Sequence, residues 1–339
     1  MSIRAAIVLI GILPTLARAQ SSGDCSVYWT AVRGAYNESR YKDALTTIDR
    51  AQSSCDTYAQ LLQKTKIDCL LELDTSSAVV RQEVLKLLRM EPRFDTNKPE
   101  ISMDVKQYIR TFDVYPKLIV GVSMGIPFTW TSQMQSEPVF SEQTSSTYKF
   151  DALNSLAYGP RVEFFVKRQW SIEAGYDYTN YSYQRTIQFQ SDNPVYYSER
   201  LRYNSFQATI HYCPNSIPRL NVGVGYIASS LIGATGEIYG EGLAFTGGID
   251  QTPYRHDVIQ SATLGVGYRV LEFLDHRAFI AVQAKYTHGL SEVNNYDQRY
   301  DNPLLSQYYY YTDDNFRLNS IAFEVSARYK LIYHIKTFK

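Results

Sequence analysis

His288, Ser291 and Glu292 stand close together near the end of one alternating segment, and an imidazole, a hydroxyl and a carboxylate are the groups from which a hydrolytic nucleophile is assembled. Spacing at a strand end does not by itself build that geometry, and a histidine at a lipid headgroup boundary serves equally as an interfacial side chain. Asp297, Asp301, Asp313 and Asp314 offer the oxygen ligands calcium takes, but without the fixed spacing of a calcium loop. They read as solvated loop acids. His211 reads as a satisfied interior histidine, and Cys25, Cys55, Cys69 and Cys213 lack the paired C-x-x-C spacing of a metal site. No catalytic residue, cofactor or metal is assigned, and the chain is read as non-enzymatic.

The ionisable residues that do form a pattern are Arg161, Glu163, Glu173, Asp177, Arg269, Lys285, Glu324 and Arg328, together with His211. Each falls on one face of a segment in which apolar and polar residues alternate with period two. Gly159, Gly175, Gly223, Gly225, Gly265 and Gly267 share that face. Eight such segments run over 117–127, 156–167, 169–181, 202–213, 219–229, 259–271, 277–288 and 318–333. Connections at Arg168, Pro214 to Pro218 and Glu272 to His276 are short, whereas 128–155, 182–201, 230–258 and 289–317 are long. An even strand count with short turns at one end and long loops at the other is the signature of an up-and-down transmembrane barrel, with both chain ends in the periplasm.

The opposite face supports that assignment. In the third segment Trp170, Tyr176 and Tyr178 bracket Ile172 and Ala174; later segments place Tyr226, Tyr268, Tyr286 and Tyr329 after aliphatic runs. Aromatics gather where lipid meets water. A soluble β fold, the alternative, would alternate without this depth rule. An eight-stranded barrel is only wide enough for its own side chains, so the inward charges are expected to neutralise one another as an ion network within a plugged cylinder. The predicted class is mainly β: an eight-stranded antiparallel barrel over 117–333 preceded by a small all-α domain.

That domain, 20–92, changes to helical spacing. Tyr28, Ala31, Val32 and Ala35 share one face; Tyr41, Ala44, Ile48 and Ala51 share another. The pair resembles a tetratricopeptide-type hairpin, and 58–73 with 78–90 gives a degenerate second one; a generic four-helix cap is the alternative. Two hairpins bury little core, so a protein partner or the barrel rim is expected to cover them. Cys25 and Cys55 fall at the same end of an antiparallel hairpin, where a disulfide is reasonable; Cys69 reads as a buried thiol. Residues 93–116 form a linker with a short helix near Met103 to Phe112, and 334–339 a tail.

Arg4, the apolar run Ala5 to Leu16 and Ala17-Arg18-Ala19 read as a secretory signal over 1–19, which sets an oxidising compartment where disulfides are permitted. Lys and Arg number 34, as do Asp and Glu, so nothing favours nucleic acid. The 29 tyrosines suit strands and membrane interfaces. In the loops, Tyr196-Tyr197 and Tyr308 to Tyr311 read mostly as strand extensions beyond the membrane, with surface binding as the second possibility. The expected partners are outer-membrane lipids and a periplasmic or outer-membrane protein.

Val120-Gly121-Val122-Ser123-Met124-Gly125, Tyr286-Thr287-His288-Gly289-Leu290 and Val325-Ser326-Ala327-Arg328-Tyr329-Lys330-Leu331 resemble the PorT-like outer-membrane β-barrel family of Bacteroidota. The resemblance implies an outer-membrane location and, since some members are implicated in type 9 secretion, a scaffold or subunit role in an envelope or secretion-related complex. A barrel binding through its surface loops, or a lipid-modifying enzyme, are the alternatives.

Overall fold

The computed structural model describes residues 22–92, 94, 102–135, 147–188, 195–240, 248–274, 276–302, 304 and 314–337. The signal-like residues 1–19 and the tyrosine run 308–311 lie outside them. Two compact units divide in sequence between Val114 and Tyr115, and the tail from Ile335 groups with the first.

The first unit holds α1 (Ser22–Asn37), α2 (Tyr41–Ala51), α3 (Ala59–Glu72), α4 (Ser77–Met90) and α5 (Met103–Arg110). Two of these helices end without glycine. Ser39 and Asp74 take the left-handed conformation, with φ of 59° and 52°. The following amides, of Arg40 and Thr75, then return to the carbonyls of Ala35 and Leu70 at 2.9 and 3.0 Å, satisfying groups that a helix end leaves bare. Ala35, Ala44 and Cys69 form one buried cluster, so small side chains let α1, α2 and α3 approach. Val32, Ile48, Ala51 and Leu62 fill a second, and Ile67, Val80, Val84, Leu87 and Val105 fill a third between α3, α4 and α5. A disulfide joins Cys25 to Cys55, whose Cα atoms are 5.5 Å apart. Ser102 caps α5 by accepting from the Val105 amide, while its own hydroxyl donates to Asp68 Oδ1 at 2.9 Å.

The second unit is built from β1 (Phe112–Gln135, whose first residues belong to the other unit), β2 (Thr147–Asn154), β3 (Leu156–Lys167), β4 (Trp170–Gln188), β5 (Val195–Tyr212), β6 (Leu220–Gly240), β7 (Ile249–Asp250), β8 (Val258–Phe273), β9 (Ala278–Gly289) and β10 (Asn315–Thr337). Here β2 and β3 act as one strand interrupted at Ser155, since both pair with β1 and with β4. β7 pairs with β6 alone. β10 pairs with β1 as well as β9, so the eight-stranded antiparallel ring closes and the ring strands satisfy one another's backbone. Val122, Met124, Phe164, Ile172, Phe206, Ile210, Val224, Leu264, Phe323 and Val325 all face outward. The exterior is an apolar belt.

The strands run further than the alternation indicates. The β4–β5 ladder continues to Ile187 opposite Val195, so 182–201 is hairpin rather than long loop, and only 189–194 lie outside the described residues. Likewise β6 reaches Gly240, β10 starts at Asn315 and continues through the expected tail to Thr337, and β1 begins within the expected linker. Alternation reports one wet and one dry face. Beyond the lipid the inner face mixes Val195, Leu201 and Ile238 with Tyr183 and Tyr197 and the outer face is no longer apolar, so the signal fades while pairing continues, helped by the β propensity of Tyr and Thr.

Candidate functional site

The tight turn at Arg168 fixes the register of β3 against β4, placing Glu163 opposite Glu173 and Arg161 opposite Gly175. Two facing carboxylates repel. Arg328 of β10 answers both, its Nη1 lying 3.1 Å from Glu163 Oε2 and 2.5 Å from Glu173 Oε2. Arg161 passes over Gly175, where a Cβ would meet its Nη1 at 2.8 Å, and reaches Asp177 at 2.7 Å. Its Nε lies 3.5 Å from Glu173 and its Nη2 4.0 Å from Glu324, and Lys285 pairs with Glu324. Ser171 donates to Glu163 at 2.6 Å, and His211 Nε2 stands 3.6 Å from Glu173 Oε2. All of these side chains are buried or nearly so.

Arg269 departs from the expected network. It stacks on the Phe279 ring, 5.0 Å from the centroid, and has no carboxylate partner among the described residues. Arg269 stands opposite Ala281, four residues along the ladder from Gly265, the residue that faces Lys285, so it lies at a different height from the Lys285 row. On the same ring lies Lys330 at 5.3 Å, bonded to Glu272 at 2.9 Å and to the His276 carbonyl at 2.7 Å. Sequence reasoning left Lys330 out of the interior, although it stands two residues beyond Arg328 and so has the same parity.

A second interior tier lies toward the long-strand end. Glu199 accepts from Tyr183 and Tyr197 hydroxyls at 2.5 and 2.7 Å and from Arg255 Nε and Nη2 at 2.7 and 2.8 Å. Arg185 pairs with Asp314 at 2.8 Å, Asn302 donates to Gln251 at 2.8 Å, and Arg299 donates to Asn315. Around them pack Leu201, Tyr203, Ile238, Ile259, Val293, Leu304 and Phe316. Asp314 is therefore a buried ion-pair member and not a solvated loop acid; Asp297 and Asp301 are exposed, and Asp313 lies outside the described residues. Among the described residues no three His, Cys, Asp or Glu side chains gather where a metal would sit. His288 faces outward beside Tyr286, while the Ser291 hydroxyl accepts from the Gln260 amide at 2.7 Å. The structure does not bring these two together as a nucleophile and base. Tyr196 lies in β5, stacked on Tyr239.

A closed ladder, an apolar exterior and a charge-paired interior occur together here. The second unit is a β-barrel of the outer-membrane type. No helix among the described residues is long and apolar enough to cross a membrane. No family model matches the chain, and no curated protein does. Among solved structures it is similar to the Neisserial surface protein NspA, at 11% identity over 65% of this chain and 99% of that one, TM-score 0.31. It is likewise similar to OprG of Pseudomonas aeruginosa, at 9% over 64% and 96%, TM-score 0.32. Ail of Yersinia pestis stands at 10% over 63% and 99%, TM-score 0.32. The barrel assignment rests on the strand ladder itself.

Proposed function

We propose that this chain is a non-enzymatic outer-membrane barrel of the PorT-like kind, anchoring a tetratricopeptide-like helical module on the periplasmic side as a scaffold or subunit of an envelope or secretion-related complex. The observation that carries this reading is the double filling of the barrel. One tier centres on Arg328, Glu163 and Glu173, the other on Arg255 and Glu199, which argues against transport through the lumen. The connections that surface binding would use are partly withdrawn inward, since Gln251, Arg255, Asn294 and Arg299 are buried. The helical unit leaves Val27, Leu61, Val79 and Met103 exposed.

Deletion of 24–92 tests this. A closed barrel satisfies its own backbone, so the truncated protein is expected to keep its unheated mobility shift on a detergent gel while losing the complex that the full chain forms. Retention of the complex would transfer the role to the surface connections. Orientation is tested with an impermeant maleimide on intact cells: Tyr300→Cys, in an exposed position, reacts, and Asn215→Cys does not. Labelling in the opposite sense would overturn the periplasmic assignment.

A further inference from the structure

Outside the barrel, polarity switches abruptly at one height on adjacent strands. Along the outer face of β4 the order is Ile172, Ala174, Tyr176, Tyr178, then Asn180 and Ser182; along β5 it is Ile210, Ala208, Phe206, Asn204, then Arg202 and Arg200. Register aligns these rows, with Asn180 opposite Arg202, Ser182 opposite Arg200, and Tyr176 opposite Phe206. The aromatic ring pairs Tyr158–Tyr178 and Tyr176–Phe206, with centroids 5.6 and 5.0 Å apart, mark the level where lipid chains give way to headgroups. Arg202 stands four residues beyond Phe206, roughly 13 Å along the strand at about 3.3 Å per residue. That is headgroup depth.

At this level the wall is hollow. The lining of a cleft of about 410 Å³ includes Tyr178, Asn180, Ser182, Arg200 and Arg202, together with two carboxylate-bearing residues, Glu237 and the Glu199 that Arg255 already holds. Both guanidinium-bearing residues are exposed, and among the described residues neither forms an ion pair within 4.0 Å; Arg202 lies over Gly233, its Nη2 2.8 Å from where a Cβ would stand, and its charge is felt by Asp250. Arg161, Arg185, Arg255 and Arg328, by contrast, each hold a carboxylate. Glu237 lies one row beyond Arg200, opposite Ser198, which limits how far up an anion can sit. Two planar forks flanked by amide and hydroxyl donors match the oxygens of a phosphate, which arginine binds at two points. Aromatic and aliphatic surface continues directly below. A soluble anion would have no use for that surface, whereas a lipid has chains to lay on it.

We propose that this outward cleft binds the phosphate of an outer-leaflet lipid headgroup through Arg200 and Arg202, with the acyl chains lying against the belt beneath. The proposal rests on the outer-membrane reading above, with the long-strand end outside. The test uses the full chain purified in mild detergent, titrated with monophosphorylated lipid A and with the same lipid dephosphorylated, and read by native mass spectrometry. Wild type is expected to retain the phosphorylated lipid at least ten-fold more tightly than the dephosphorylated one. The Arg200→Ala/Arg202→Ala variant, checked as folded by gel mobility, is expected to lose that preference, and Arg219→Ala at the short-turn end to keep it. Should the double alanine variant misfold, Arg200→Gln/Arg202→Gln replaces it, and the two lipids on wild type still decide. Equal retention of both lipids, or an unchanged preference in the double variant, overturns the site. Displacement by glucose 1-phosphate at equal affinity would assign the cleft to a soluble phosphate and overturn the lipid. Reversed maleimide labelling marks failure of the orientation instead of failure of the cleft.

Discussion

Arg161 and Asp177 form a two-point ion pair inside the barrel, Nη1 to Oδ1 at 2.7 Å and Nη2 to Oδ2 at 2.8 Å. They are not direct cross-strand partners. The guanidinium crosses the space above Gly175, the residue that does face Arg161, to reach the next inward position. Replacing Arg161 with Met is expected to cost about 3–5 kcal/mol by stranding a buried carboxylate, and the Arg161→Met/Asp177→Leu double variant to cost less than that single change. Urea unfolding of the folded barrel in detergent checks this. Strict additivity would show that the pair is uncoupled.

The same filled interior bears on conductance. With Arg328 spanning Glu163 and Glu173, and Arg255 held on Glu199 further along, purified protein in planar bilayers is expected to give no stable large channels. Reproducible porin-like steps would mean that the interior opens.

Thiol chemistry separates the four cysteines. Cys25 and Cys55 are bonded, while Cys69 and Cys213 are free and buried; burial, then the neighbouring Asp68 and Glu72, push the Cys69 thiol up to about 12. Native protein is expected to add no alkylating groups by mass spectrometry, two after denaturation, and four after denaturation with reductant. Reduction alone should destabilise the helical unit by about 3–4 kcal/mol, the loop-closure entropy of a 30-residue separation, read as faster amide exchange in α1 and α2.

Asp68 gives the helical unit a pH dependence of definite sign. Burial raises its carboxyl above the ordinary value, offset in part by the Ser102 hydroxyl and by Lys64. The folded state therefore holds this proton more tightly than the unfolded chain does. Its contribution is fully present below the unfolded carboxyl range and is lost as pH rises through the folded value. Asp68→Asn, whose carbonyl still accepts from Ser102, is expected to stabilise α3 and α5 at neutral pH while leaving little change in acid. Amide exchange in wild type and variant at the two pH values checks it; a variant less stable at neutral pH would contradict the burial argument.

Period-two alternation was enough to assign the faces of the strands, because one side of each meets lipid and the other meets packed polar side chains; Ile172 outward and Glu173 inward follow from that alone. The tight turn at Arg168 also brought Arg161 and Asp177 to neighbouring strands at similar depth. The helical unit was legible in the same way, from 3.6-residue spacing with Ala44 and Ala51 at the close approaches. What needed the tertiary structure was everything set by register between distant strands and by connections without period. Arg255 meets Glu199 across 56 residues, Asn302 meets Gln251 across 51, and Asp314 meets Arg185, because aperiodic segments enter the barrel mouth at a depth no local pattern encodes. Arg269 had the correct parity and still left the network. Parity fixes which face a side chain takes, but its partner is fixed by height around a closed ring, and Arg269, level with Ala281, meets the Phe279 ring rather than a carboxylate.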